Sequence, residues 1–203
     1  MLRLAVFVSG RGSNLRSIHK AIIERRLTAE IVGVISNLDD APALQFASNE
    51  GFPVLSVQGC TEAAELPLIL DFLAVNGADF IALTGYMKLI PPEIVAAFKH
   101  RIVNIHPALL PSFGGKGMYG NHVHAAVLAS GEKVTGATVH IVDEEYDRGP
   151  IVMQRRVQVQ DDDTPEILAA RVLEVEHAIY PEALQLFAEQ RVEIIENRIF
   201  IRT

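Results

Sequence analysis

The stretch Arg101-Ile102-Val103-Asn104-Ile105-His106-Pro107 predicts a short buried strand that ends in a polar turn. Successive side chains of a strand alternate between its two faces, so Asn104 and His106 share one face and Ile105 lies on the other. Pro107 keeps His106 out of the helical conformation and ends the strand. We therefore expect an amide and an imidazole side by side at the carboxyl end of a strand, where open α/β sheets bind ligands.

Short apolar strands and helices alternate before this stretch, and the pattern changes after it. Strands are predicted at residues 4–8, 31–35, 53–57, 80–83 and 101–104, and helices at 14–26, 41–50 and from Pro67 to 76. Residues 134–142 and 151–159 predict antiparallel strands. Thr164 is expected to cap a helix to about residue 189, kinked or split at Pro181, before a hairpin of residues 192–195 and 198–201. The sequence therefore predicts an α/β fold with a mainly parallel sheet, helices on both faces and antiparallel strands in the C-terminal part.

The composition excludes several functional classes. The 203 residues fit one domain, and the formal charge of −7 argues against a nucleic-acid partner. No apolar run approaches the ~20 residues that cross a membrane, and no signal peptide precedes the first strand. A lone cysteine, Cys60, fits a reducing compartment, so we expect a cytoplasmic location.

The first strand leads into Ser9-Gly10-Arg11-Gly12-Ser13-Asn14-Leu15 and then into a helix. Glycines allow the backbone to approach a ligand, and a helix N-terminus offers free N–H groups to an anion. Leu15 replaces the third glycine of a dinucleotide site, and no Gly-Lys-Ser/Thr of a P-loop follows. The loop predicts a site for one phosphate; the alternative is a glycine turn in which Ser13 or Asn14 only caps the helix.

An acidic cluster near Gly149 and Pro150 supplies a candidate partner for His106. The turn that follows Asp147 fixes its position. A carboxylate near an imidazole raises the pKa of the imidazole and can relay a proton. His140 is a plausible residue behind the site, whereas the other carboxylates of the cluster fit a solvated loop. The sequence lacks the spacing of zinc ligands, so no metal is expected. It also lacks a serine nucleophile elbow, which argues against a serine hydrolase.

Further motifs complete a pattern that covers nearly the whole chain, namely Gly85-Tyr86-Met87-Lys88-Leu89-Ile90, Gly136-Ala137-Thr138-Val139-His140, and Glu176-His177-Ala178-Ile179-Tyr180-Pro181. Together with the stretches above, they resemble the folate-dependent phosphoribosylglycinamide formyltransferase family. The resemblance implies a Rossmann-like formyltransferase fold in a single domain, 1–203, with a phosphate-binding half, 1–100, and a catalytic and folate-binding half, 101–203. It also implies a monomer or homodimer that acts on small molecules alone.

The resemblance implies transfer of a formyl group from 10-formyltetrahydrofolate to the amine of glycinamide ribonucleotide in purine (IMP) biosynthesis. Asn104 and protonated His106 would stabilise the formyl oxygen, and Asp147 would keep His106 charged. The implied ribonucleotide-binding residues are Arg11, Gly12, Ser13, Asn14 and Glu176. The implied folate-binding residues are Met87, Lys88, Leu89, Ile90, Asn104, Val142, Asp143 and Asp147.

Two departures and three alternatives accompany this resemblance. Glu62-Ala63-Ala64 lacks an arginine that often binds the folate tail, and Leu173 replaces a glutamine near the ribonucleotide. Formyltetrahydrofolate hydrolase and methionyl-tRNA formyltransferase share the Asn-x-His centre, but usually carry an additional domain. A catalytically silent phosphosugar-binding module is the alternative from another class. Leu110–Pro111 is a candidate cis peptide bond, and closure of the loop at 114–120 over substrate stays open.

Overall fold

A computed structural model describes residues 1–202, apart from the side chain of Glu62. Nine strands are present in this part: β1 (Leu2–Val8), β2 (Ala29–Ser36), β3 (Val54–Ser56), β4 (Phe80–Thr84), β5 (Ile102–His106), β6 (Val134–Ile141), β7 (Ile151–Gln158), β8 (Val192–Ile195) and β9 (Arg198–Ile201). The helices are α1 (Ser13–Ile23), α2 (Pro42–Asn49), α3 (Glu62–Val75), α4 (Pro92–Ala97), α5 (Asn121–Ser130) and α6 (Pro165–Ala188). None of these helices is long and apolar enough to span a membrane.

Seven strands form one sheet in the order β3-β2-β1-β4-β5-β6-β7, and β8 pairs with β9 in a separate hairpin. Strands β1 to β5 pair in parallel, whereas β6 is antiparallel to both of its neighbours. The predicted fold class is therefore confirmed. The chain proceeds from β1 outward to β3 and then returns to the other side of β1 at β4, and such a reversal opens a crevice at the carboxyl ends of the strands.

Both faces of the sheet are covered, because alternate strand residues enter two separate apolar cores. Leu4 and Val6 pack with residues of α1, α2, α5 and α6, whereas Ala5 and Phe7 pack with residues of α3 and α4. The long helix α6 is anchored by Tyr180, whose buried hydroxyl donates to the carbonyl oxygens of Leu83 and Val103 at 2.8 and 3.0 Å. This anchor fixes α6 beside the ends of β4 and β5.

Two predicted helices have other bounds than the observed ones, and one observed helix was not predicted. Helix α3 begins at Glu62 rather than at Pro67, because Thr61 is extended and the residues after it favour a helix. Helix α1 ends at Ile23, three residues before the predicted end, and α4 was not predicted because six residues are too few to show a helical period.

Helix α6 runs unbroken through Pro181, so the predicted split does not occur. Proline has no N–H to donate to the carbonyl four residues earlier, which belongs to His177. Ser17 of α1 donates its hydroxyl to that carbonyl at 2.7 Å and replaces the missing bond. The predicted cap of this helix is present, since Thr164 Oγ1 accepts from the Ile167 N–H.

The candidate cis peptide bond between Leu110 and Pro111 is cis in the structure.

Candidate active site

A cavity of about 960 Å³ opens where β1, β4 and β5 end. Every residue that the sequence proposed for ribonucleotide, folate or catalysis lines it, as does the supporting histidine. These residues are Arg11, Gly12, Ser13, Asn14, Met87, Lys88, Leu89, Ile90, Asn104, His106, His140, Val142, Asp143, Asp147 and Glu176.

The loop after β1 presents backbone N–H groups to the cavity. Gly12 occupies the N-cap position of α1 with φ 72°, and a Cβ there would lie 2.7 Å from the Cβ of Ala43. Glycine is thus required both for the backbone conformation and for the close approach of α2. Within residues 1–202 no side-chain hydrogen bond caps this helix, so the alternative in which Ser13 or Asn14 only caps it is not observed. The N–H groups of the first turn are free to bind an anion.

Asn14 instead links the loop to α6. Its Nδ2 donates to Glu176 Oε2 at 2.7 Å, and both side chains are buried. Burial raises the pKa of Glu176 to about 7, although the Asn14 hydrogen bond lowers it in part. Both protonation states of Glu176 are therefore accessible near neutral pH, and the protonated form can donate as well as accept.

The loop after β4 is tied to the rest of the cavity by two contacts that the sequence did not reveal. The Met87 N–H donates to Ser9 Oγ at 2.8 Å, and Lys88 forms an ion pair with the buried Glu65 of α3. Met87 and Leu89 stay 53% and 44% exposed at the rim. Two exposed apolar side chains on a fixed loop suit the face of a flat aromatic ligand.

His106 and Asp147 lie next to each other in the cavity. His106 Nδ1 is 3.5 Å from Asp147 Oδ2, and His106 Nε2 is 2.8 Å from the carbonyl oxygen of Phe113. That carbonyl can only accept, so Nε2 carries a hydrogen and Nδ1 faces the carboxylate. The Gly115 N–H donates to the same Asp147 oxygen at 2.9 Å and joins the loop at 114–120 to the carboxylate.

His140 orients Asn104. The Nδ1 of His140 donates to the carbonyl oxygen of Ile141 at 2.8 Å, and Nε2 is 3.1 Å from Asn104 Nδ2 and 3.4 Å from Asp147 Oδ1. Nε2 therefore accepts from Asn104 in a neutral ring and donates to Asp147 in a charged one. Asn104 Nδ2 is also 3.5 Å from Asp147 Oδ1, at the limit of a hydrogen bond. The second amide hydrogen of Asn104 is therefore weakly held and can turn to a ligand.

Opposing effects act on the protonation of His106. Burial lowers the pKa of His106, and Asp147 and the Phe113 carbonyl offset this only in part. Burial also acts on Asp147, but the His140 hydrogen bond, the charge of His106 and the Gly115 N–H outweigh it and lower the pKa of that carboxyl. Burial thus favours the neutral imidazole, although both ring nitrogens face acceptors, and the protonated His106 that the sequence implies stays a prediction.

The turns around these groups are held by residues that the sequence analysis gave no role. Thr138 Oγ1 donates to the carbonyl of Ala108 at 2.6 Å and accepts from the Leu110 N–H at 3.1 Å. Asp147 itself has φ 57°, an uncommon value for a residue with a side chain. A Cβ on Gly149 would lie 2.0 Å from the carbonyl oxygen of Ile141, so only glycine fits there.

The structure separates the two histidines of α5. His122 is exposed and packs edge-on against Tyr119, whereas His124 is buried and lines the cavity. Among residues 1–202, no group of three or more His, Cys, Asp or Glu side chains could hold a metal ion.

Comparison with known proteins assigns this site to a family. The family model described as "Formyl transferase" matches residues 2–184. The chain is 45% identical to phosphoribosylglycinamide formyltransferase, chloroplastic, of Arabidopsis thaliana, over 97% of this chain and 69% of the plant protein. Glycinamide ribonucleotide transformylase 1 from Symbiobacterium toebii superimposes with a TM-score of 0.93 at 38% identity, over 100% of this chain and 95% of that one.

A formyltetrahydrofolate deformylase from Pseudomonas syringae has the same fold, with a TM-score of 0.88. The deformylase is only 26% identical to this chain. The match covers all 203 residues of this chain and 67% of the deformylase. The higher identity and fuller coverage therefore lie with the transformylases. The chain belongs to the formyl transferase family and, within it, to the phosphoribosylglycinamide formyltransferases.

Proposed function

We propose that this chain transfers the formyl group of 10-formyltetrahydrofolate to the amine of glycinamide ribonucleotide, a step of purine (IMP) biosynthesis. The products are formylglycinamide ribonucleotide and tetrahydrofolate. One observation carries the proposal: a loop suited to a single phosphate and the Asn104–His106–Asp147 cluster open into the same cavity. A phosphorylated amine and a second, formyl-bearing ligand can therefore meet there.

In the proposal, the ribonucleotide lies between α1 and α6. Its phosphate accepts hydrogen bonds from the N–H groups that follow Gly12, with Ser13 and Arg11 beside them, because this turn lacks a side-chain cap. Glu176 hydrogen-bonds a ribose or glycinamide group, and Asn14 holds Glu176 in place. These contacts direct the amine toward His106.

The folate lies between the loop after β4 and the turn at residues 142–147. Met87 and Leu89 offer apolar surface, while the backbone from Lys88 to Ile90 offers polar groups. Val142 and Asp143, of the second of these segments, also line the cavity. The side chain of Glu62, near which a tail contact would be expected, lies outside the described residues.

The proposed chemistry starts from a neutral His106, which burial favours, beside an ionised Asp147. The amine attacks the formyl carbon, and negative charge develops on the formyl oxygen, to which Asn104 donates its second amide hydrogen. Neutral His106 accepts the amine proton at Nδ1, and ionised Asp147, 3.5 Å away, stabilises the resulting imidazolium. The bond from the formyl carbon to the folate nitrogen then breaks, and His106 returns the proton to that nitrogen. Asp147 can also relay the proton through water, and the proposal assigns no step to a metal.

The proposal extends to organisation and location. We propose one domain whose N-terminal half binds phosphate and whose C-terminal half carries the catalytic groups, in a monomer or homodimer without nucleic-acid partners. Two residues belong to the other half by sequence. Glu176, from the C-terminal half, accepts from Asn14 of the phosphate loop, and Met87, from the N-terminal half, lines the proposed folate site. We also propose a cytoplasmic location, whereas the Arabidopsis relative is named chloroplastic.

The test is a spectrophotometric assay of 10-formyltetrahydrofolate with and without glycinamide ribonucleotide. We expect deformylation that requires the ribonucleotide and is reduced at least about 100-fold in His106→Ala, since general acid–base catalysis contributes 10²–10⁴-fold. His122→Gln, an exposed change nearby, is the control. Release without ribonucleotide would identify a hydrolase instead. Ribonucleotide binding without any turnover would identify a silent binding module.

A further inference from the structure

The loop between β4 and α4 lines the cavity, but its central residues are not held by backbone hydrogen bonds. Residues 85–90 all line the cavity. Within residues 1–202, no backbone–backbone hydrogen bond involves residues 88–90. Their N–H and C=O groups are therefore free to bind a ligand. The conformation of this segment must then be fixed by side chains.

Both ends of the loop are anchored. At its start, Tyr86 packs edge-on against the buried Phe7, with ring centroids 5.3 Å apart, and the Met87 N–H donates to Ser9 Oγ at 2.8 Å. At its end, Ile90 is 3% exposed and packs in the core that α3 and α4 share. The segment between these anchors needs a separate restraint.

Glu65 of α3 supplies this restraint through Lys88. Glu65 is 6% exposed, and its carboxylate accepts a hydrogen bond from Lys88 Nζ. In the part of the chain that the structure describes, no other group donates to this carboxylate. A buried carboxylate is costly unless a donor or a cation pairs with it. The pair therefore restrains Lys88, although the side chain of Lys88 is 44% exposed.

The two partners of this ion pair are not equivalent. Loss of Lys88 would leave a buried carboxylate without a partner, whereas loss of Glu65 leaves a lysine that water can solvate. Replacing a buried charged residue by an apolar one of similar volume is often neutral for folding. A change at Glu65 can therefore release the loop while the protein stays folded.

We propose that Glu65 is a positioning residue for the folate, because its pairing with Lys88 holds residues 87–90 in the conformation that the ligand meets. This inference rests on the proposed function for the identity of the ligand. Glu65 is absent from the described residues that line the cavity, so it acts only through the loop. A loop that is already ordered loses less conformational entropy when the ligand binds.

The first experiment compares Glu65→Leu and Glu65→Gln with the wild type. Leucine removes the acceptor, whereas glutamine keeps an uncharged one. Turnover gives KM for 10-formyltetrahydrofolate, calorimetry with glycinamide ribonucleotide alone gives its Kd, and melting curves report folding. Asp71→Asn is the matched control, because it removes one negative charge from an exposed position of the same helix.

A second experiment follows the loop without any ligand. The chain contains no tryptophan, so Leu89→Trp places a single fluorophore on the loop, where Leu89 is 44% exposed. Time-resolved fluorescence anisotropy is measured for this variant alone and combined with Glu65→Leu, Glu65→Gln or Asp71→Asn. We expect faster local depolarisation with the two Glu65 substitutions and no change with Asp71→Asn.

We expect Glu65→Leu to raise KM for the folate about tenfold, as loss of a hydrogen bond between charged groups does, and Glu65→Gln to raise it less. The Kd of the ribonucleotide and kcat should stay close to the wild-type values. An unchanged folate KM in folded Glu65→Leu would overturn the inference, as would a parallel rise of the ribonucleotide Kd. If Glu65→Leu does not fold, equal folate KM values for Glu65→Gln and the wild type would overturn it.

The anisotropy experiment separates this inference from the proposed function. Absence of wild-type turnover would refute the proposed function alone. Equal depolarisation with and without the Glu65 substitutions would overturn the inference whether or not the protein turns over, because Glu65 would then not hold the loop.

Discussion

Replacing Glu176 by glutamine should change the pH dependence of stability in a direction that the structure fixes. The pKa of this carboxyl rises from 4.5 to about 7 on folding, so the native state binds the proton more tightly than the unfolded state does. Below pH 4.5 both states are protonated and the advantage is complete. It is lost as the pH rises toward 7. One pKa unit corresponds to 1.36 kcal/mol, and the wild type should therefore lose about 3 kcal/mol from this group.

The assay is urea denaturation of wild type and Glu176→Gln at pH 4.5, 6 and 8. The variant cannot ionise but can still accept from Asn14, so its stability relative to the wild type should increase by about 3 kcal/mol between pH 4.5 and 8. All other titrating groups are shared and cancel in the difference. A difference that does not change with pH would refute the reasoning, because it would mean that Glu176 is ionised in the native protein throughout this range.

Three further substitutions test the phosphate loop, the helix contact and the catalytic carboxylate. Gly12→Ala should abolish ribonucleotide binding in calorimetry, because a Cβ would lie 2.7 Å from a side-chain carbon of α2 and φ is 72°. Ser17→Ala should lower the free energy of unfolding by about 1–2 kcal/mol in urea, since the His177 carbonyl loses its donor. Asp147→Asn should reduce kcat by about 10²–10⁴ and move the acid limb of kcat/KM to lower pH, because the pKa of His106 falls further without the carboxylate. An unchanged acid limb would contradict that role of Asp147.

Local rules were enough to predict most of the fold. The five parallel strands are apolar runs, and the period of a strand is visible in five residues. The bounds of two helices were harder to predict. Helix α4 has one fully buried side chain, Ile94, and the side chain of Thr61 forms no cap hydrogen bond at the start of α3. Pro181 was misread for a different reason: the hydroxyl that replaces its missing hydrogen bond belongs to Ser17, 160 residues from His177.

Local sequence rules likewise predict some features of the candidate site and miss others. Strand alternation alone places Asn104 beside His106, and the turn glycine after Asp147 marks that carboxylate. The role of Asn14 could not be derived from its position at a helix start, because its partner Glu176 lies 162 residues away. Similarly, nothing local to Lys88 reveals that it pairs with Glu65 on another helix.

The charge of His106 shows why such distant contacts matter for mechanism. Sequence reasoning correctly sets a carboxylate against the imidazole, which favours the charged ring, but the opposing effect is burial. The ring is only 3% exposed because elements far along the chain cover it, and burial outweighs the carboxylate. A ring already protonated could not accept the proton of the attacking amine. In the proposed mechanism a neutral ring beside an ionised Asp147 accepts this proton and is then stabilised as a cation, and burial, which the sequence could not show, favours that neutral starting state.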